Sequence, residues 1–197
     1  MTTTEDATGG ASAEGVEHVP GDQGIWFFVF FESLIFTSYF CVYLFSRTQH
    51  ERAFLRSQSH LLLWLGILDT IVLLTSSWVM ARCVQHARAA RHDAARRLAV
   101  VTGALGLLFL ALKLIEWVHL IRGGDTFTSS DFMQYYFFLT GIHAIHLLIG
   151  FVVIGVIVYQ LSDARRRSLE TVETCSTYWH TVDMYWAIIF AMLYIVR

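Results

Sequence analysis

Charge is what this chain has least of. Only 15% of its 197 residues are Asp, Glu, Lys or Arg, where a soluble domain carries about 25%. Proline occurs once, at Pro20, against fifteen phenylalanines, and the combination points to a membrane protein. The net charge of −2 leaves no bulk basic footprint, which excludes nucleic acid as a partner class. Cysteine is scarce as well. Cys41, Cys83 and Cys175 are odd in number, far apart and without CxxC spacing. Neither a disulfide framework nor a zinc site is expected, and each reads as a small buried hydrophobe.

The N-terminal stretch lacks Lys and Arg, and no apolar core lies in the window a signal peptide needs. Rich in Gly, Ser, Thr and acidic residues, residues 1–20 read as a disordered tail. Beyond the tail the chain turns apolar. Crossing a bilayer takes about 20 predominantly apolar residues, and five stretches qualify: about 24–46, 60–81, 98–121, 134–161 and 175–196. Backbone donors left unpaired in lipid are costly, so each should be helical. The expected fold is all-α, a single domain over residues 21–197 built as an integral membrane bundle of five transmembrane helices.

Orientation follows from the arginines of the connecting loops. Arg82, Arg88, Arg91, Arg96, Arg97, Arg165, Arg166 and Arg167 fall on one side. Arg47, Arg52, Arg56, Arg122 and Arg197 fall on the other. The bias places the N-terminus inside and the C-terminus outside.

The remaining polar residues are few and lie inside the spans. The last span, CSTYWHTVDMYWAIIFAMLYIV, carries His180 and Asp183, and a central Asp costs about 2.5–3.5 kcal/mol to insert. This span should therefore face protein. Trp179, Asp183, Trp186 and Phe190 step along one stripe of its helix. A His180–Asp183 hydrogen bond along that helix is plausible, as is pairing of the stripe with Lys113, His143 or His146. Glu32 stands alone in the first span, either as a proton-exchanging or lipid-facing acid or as a structural hydrogen-bond donor. Asp69, among Thr70, Thr75, Ser76 and Ser77, reads as a packing register. Lys113 and Glu116 share a helical face and read as a structural ion pair. His119 and Trp117 lie near an interface, and Trp26, Trp179 and Trp186 join Glu32 as candidates for lipid or partner contact. His143 and His146 repeat the i, i+3 spacing, beside Thr140, Gly141 and Gly150. With His180 they leave open haem ligation, hence a small b-type electron carrier, as an alternative. A proton-coupled transporter is another, motivated by Glu32, Asp69 and Lys113–Glu116, although no internal repeat supports it.

Several strings match a known pattern. TGIHAIHLLIG (Thr140–Gly150) resembles the TGFHGLHVxxG segment of subunit III of haem-copper cytochrome c oxidases. YWHTVDMYWAIIFAMLYIVR (Tyr178–Arg197) resembles that family's YWHFVDxVWxxLFxxxY C-terminus. GIWFFVFFESLIF looks like its helix with a single buried Glu, here Glu32, and LGLLFLALKLIEW looks like its FLxxQxxEW stretch. The resemblance runs in order from about Gly21 to Arg197 and is closest to the five-helix bacterial type.

The resemblance implies a non-catalytic subunit without catalytic, cofactor-binding or metal residues of its own. It implies assembly with a haem- and copper-bearing subunit I and with subunit II, and bound phospholipid. It further implies support of assembly and proton uptake, and a multi-pass place in a bacterial plasma membrane. Lys113 stands where the respiratory subunits typically carry Gln and looks more like the subunit-III-like proteins associated with nitric oxide reductase. Asp69 stands where a neutral residue is usual, and Tyr185 interrupts the VDxVW pattern. Glu32, Asp69, Lys113, Glu116, His143, His146, His180 and Asp183 are expected to form the buried polar network.

Overall fold

The computed structural model describes residues 23–196; the expected tail, residues 1–20, and Arg197 lie outside them. Helix is the only regular structure among the described residues: α1 (Gln23–Gln49), α2 (Glu51–Gln58), α3 (Leu63–Arg88), α4 (His92–Arg122), α5 (Asp131–Ser162) and α6 (Leu169–Phe190), with a π-helical turn over Ala191–Ile195. Helices α3 to α6 pack as an antiparallel bundle, α6 lying against both α3 and α5. Helix α1 flanks this bundle and touches it chiefly through α6.

Among the described residues four helices, α1, α3, α4 and α5, are long and apolar enough to cross a membrane. Helix α6 is shorter, at 22 residues, and its polar first half sets it apart from these four. Helices α1, α4 and α5 run past their apolar windows at both ends. Ser130 accepts from Met133 N–H and starts α5 at Asp131; Ser168 accepts from Thr171 N–H and starts α6 at Leu169. Gly124, at φ 95°, closes α4 in the left-handed conformation that a side chain would resist, with Asp125 N–H returning to Leu120 C=O. Helix α2 was expected as loop. Its single buried edge, Phe54 and Gln58, is too short to register as a span.

Apolar side chains cover the outside. Phe27, Phe45, Trp78 and Val152 are each more than 60% exposed, a surface that lipid solvates and water would not tolerate as one continuous belt. Of the cysteines, Cys83 is buried, Cys175 half-buried and Cys41 exposed, so the expectation of burial fails at Cys41. Its position on the outer side of α1 explains this, since that helix has protein along only one edge.

Glycines set the tightest approach. A Cβ at Gly106 or Gly150 would sit 2.8 Å from the ring of Trp179, so α4 and α5 form a slot for that indole. At Gly141, expected to allow close contact, a Cβ would meet nothing within 4 Å. Gly150→Ala should therefore destabilise the fold by about 1–3 kcal/mol through overpacking. Gly141→Ala should be neutral or stabilise by up to about 1 kcal/mol through helix propensity. Thermal unfolding midpoints in detergent separate the two, and equal midpoints would contradict the slot.

Candidate functional site

The polar side chains of the spans fall into three groups. The deepest lies where α3, α4 and the π-helical turn meet. Lys113 Nζ donates to Glu116 Oε2 at 2.6 Å and to the Tyr194 hydroxyl at 3.1 Å, and lies 2.9 Å from Asp69 Oδ2. Tyr194 in turn donates to Glu116, 2.8 Å from Oε1 and 2.9 Å from Oε2. The side chains of Lys113, Asp69 and Glu116 are at most 1% exposed. The Lys113 ammonium also sits 4.5 Å from the centre of the Trp186 ring, whose face attracts a cation. Gly66 makes room for Tyr194, because a Cβ there would lie 2.8 Å from the phenol ring.

The π-helical turn positions Tyr194. Its i→i+5 closure, Val196 N–H to Ala191 C=O, turns Met192, Leu193 and Tyr194 into the core together. The carbonyls it leaves over are gripped from α1 and α2. Tyr43 donates to Met192 C=O, Gln58 to Leu193 and Val196 C=O, and Arg47 to Val196 C=O at 2.6 Å. This gives α2 its role as a clamp on the end of the last helix.

The second group joins α1 to α5. His146 Nε2 lies 3.1 Å from Glu32 Oε2, its Nδ1 lies 2.9 Å from Ile142 C=O, and the Tyr178 hydroxyl donates to His146 C=O. Both side chains keep partial access, 16% for His146 and 18% for Glu32. The third joins α3 to α6. His180 Nδ1 bonds with Ser77 Oγ at 2.7 Å. Asp183 lies buried one turn further on, facing the same Ser77 hydroxyl without a well-aligned hydrogen bond to either carboxylate oxygen among the described residues. His180 also lines an open groove of about 600 Å³ with Trp26, Val29, Ala81, Val84 and Met184. The Arg88–Glu173 ion pair, at 2.8 Å, stands at its rim.

A family model described as cytochrome c oxidase subunit III matches residues 4–197. The chain belongs to this family. Cytochrome c oxidase subunit 3 of a Synechocystis species is 30% identical over 175 residues, covering 87% of this chain and 74% of the relative. The corresponding subunit of Thermostichus vulcanus is 27% identical over 201 residues, 99% of this chain and 98% of its own. A heme-copper oxidase subunit I+III of Aeropyrum pernix is 27% identical over 204 residues, 92% of this chain but 24% of that fused protein.

Within this subunit III fold the polar residues are arranged differently from the single network expected. Lys113, Glu116 and Asp69 meet at one centre, Glu32 and His146 at a second, and His180 with Asp183 at a third. His143 is buried against Phe109 and Trp186, and neither ring nitrogen has a hydrogen-bond partner among the described residues. The last-span stripe does reach across the interface: Trp186 meets Lys113, Phe109 and His143. The expected His180–Asp183 bond is replaced by His180–Ser77, because the α3 hydroxyl reaches the ring first. Trp179 and Trp186, expected at a lipid or partner surface, are 0% and 1% exposed. The glycine slot encloses Trp179, whose Nε1 donates to Ser76, and Trp186 Nε1 donates to Thr70. Of the other interface candidates, Trp26 and His119 are exposed and Trp117 is half-buried. Ser77 was named only as part of the Asp69 register, and Tyr194 was missed, since a hydroxyl at one turn of a span carries no signal until its neighbour is known. Among the described residues no group of three or more His, Cys, Asp or Glu is placed to hold a metal ion.

Proposed function

We propose that this chain is a non-catalytic integral subunit III of a haem-copper respiratory oxidase of the cytochrome c oxidase type. The observation that carries the reading is the subunit III family match over nearly the whole chain, with cytochrome c oxidase subunit 3 relatives in several bacteria. As one domain of five spans, with α6 the fifth, it sits in the bacterial plasma membrane, N-terminus in the cytoplasm and C-terminus outside. It binds subunits I and II, and the fused I+III relative supports the first of these contacts. The haems and copper belong to the catalytic partner. Phospholipid lies against the apolar outside of α1, and the partly accessible Glu32–His146 pair faces lipid or a neighbouring subunit there. In that position it assists the catalytic subunit's proton uptake.

Lys113 motivates a second reading, a subunit-III-like protein accompanying nitric oxide reductase. Affinity purification from native membranes separates them. The tagged chain should bring down a larger haem-bearing oxidase subunit, and recovery of nitric oxide reductase instead would select the second reading. Purified alone, the chain should have no haem absorbance. A Soret band stoichiometric with the isolated chain would overturn both and favour haem ligation by His143 or His146 with His180.

A further inference from the structure

We infer that the Asp69–Lys113–Glu116 centre is a proton-binding site, and that the bound proton resides on Asp69. The inference stands whichever complex the subunit joins. It begins with a count of charges. Two carboxylates share one ammonium, and all three side chains are at most 1% exposed. Ionised together they would leave an uncompensated negative charge out of reach of water, with two anions held against each other by the same Lys113. Burial and like-charge proximity both disfavour that state, and one bound proton removes it.

Among the described residues no other group facing the centre supplies the missing positive charge. Helix α5 contributes the Tyr136 hydroxyl and His143, and the π-helical turn contributes Tyr194. The tyrosines bring no cation. The His143 ring makes no hydrogen bond and packs between Phe109 and Trp186, surroundings that offer an imidazolium nothing. The Lys113 charge itself is well held, by Glu116 at 2.6 Å and by the Trp186 face.

Geometry then decides which carboxyl is the acid. Glu116 is provided for as an anion, with donors from Lys113 and from Tyr194 converging on both oxygens. Asp69 is provided for less well: its Oδ2 has only the Lys113 ammonium, 2.9 Å away and poorly aligned, and its Oδ1 has no donor among the described residues. A neutral carboxyl at Asp69 leaves Lys113 and Glu116 as one balanced pair.

Infrared spectroscopy of the purified full-length chain in detergent at neutral pH reads this directly. The wild type should display the carbonyl stretch of a protonated carboxyl that shifts on labelling with [13C]aspartate and not with [13C]glutamate. Asp183, the other aspartate within the spans, is removed from the comparison by carrying Asp183→Asn throughout. In that background Asp69→Asn should abolish the band. Glu116→Gln should abolish it too, because Asp69 would then pair one-to-one with Lys113 and release its proton. A purely structural aspartate would not respond to the second change. If Asp69→Asn does not accumulate, the labelled Asp183→Asn chain decides alone: an aspartate-sensitive band supports the site, and its absence overturns it. A glutamate-sensitive band in its place, or an aspartate band unmoved by Glu116→Gln, also overturns it.

Discussion

Lys113→Met is expected to remove most of the stability of the bundle, about 3–5 kcal/mol, the cost of breaking a buried ion pair by deleting one partner. Methionine fills much of the same volume, so the loss is not a cavity effect. What remains is Glu116, fully buried with tyrosine hydroxyls but no cation to stabilise its charge, next to the Asp69 carboxyl. The Trp186 ring loses its cation and Tyr194 loses the donor that orients its hydroxyl. Adding Glu116→Gln should recover much of the loss, because a neutral amide accepts from Tyr194 without carrying an orphaned charge. Thermal midpoints of the two single variants and the double give the coupling energy. A Lys113→Met midpoint equal to wild type would mean that the centre contributes nothing net. A double variant no better than Lys113→Met would mean that packing, and not charge, is what was lost.

How far the sequence carries is clearest at this same centre. Lys113 and Glu116 are readable as neighbours because three residues along one helix bring them to one face, a local rule that needs no fold. Asp69 belongs with them only through the pairing of α3 with α4, and Tyr194 only through the π-helical turn, which swings it inward. Neither is a local property. The long apolar helices α1, α3, α4 and α5 were legible because hydropathy is a sum over about 20 residues. Helix α2 was not, since eight residues with Phe54 and Gln58 as the buried edge give no such sum. Tyr185 was legible only as a departure from the family's string. In three dimensions it stacks on Phe36 at 4.2 Å between ring centres and bonds with Ser33, which fastens α1 to α6 at a point where little else does. The tryptophans misled for the opposite reason. A Trp near the end of a span usually marks the membrane interface, and only the glycines of other helices reveal that Trp179 has an interior site waiting for it.

That site makes Trp179→Ala the second large effect. The indole is completely buried, its ring against Gly106, Gly150 and Phe151 and its Nε1 donating to Ser76 at 3.1 Å. Truncation removes a large apolar volume from between α4, α5 and α6 and leaves Ser76 without its donor, so a loss of about 3–5 kcal/mol is expected. The glycines cannot collapse into the space, because they are already the narrowest part of the wall. Trp179→Phe should cost less: most of the ring volume stays, and the missing hydrogen bond accounts for about 1 kcal/mol. The decisive comparison puts bulk back from the other side. Gly150→Leu should be severely destabilising alone, where it collides with the indole, and should partly rescue Trp179→Ala, where it grows into the vacated slot. Thermal midpoints and yield of the four proteins measure this. Additive losses would refute the slot, because two changes that share one volume must compensate if that volume is what holds α4, α5 and α6 together.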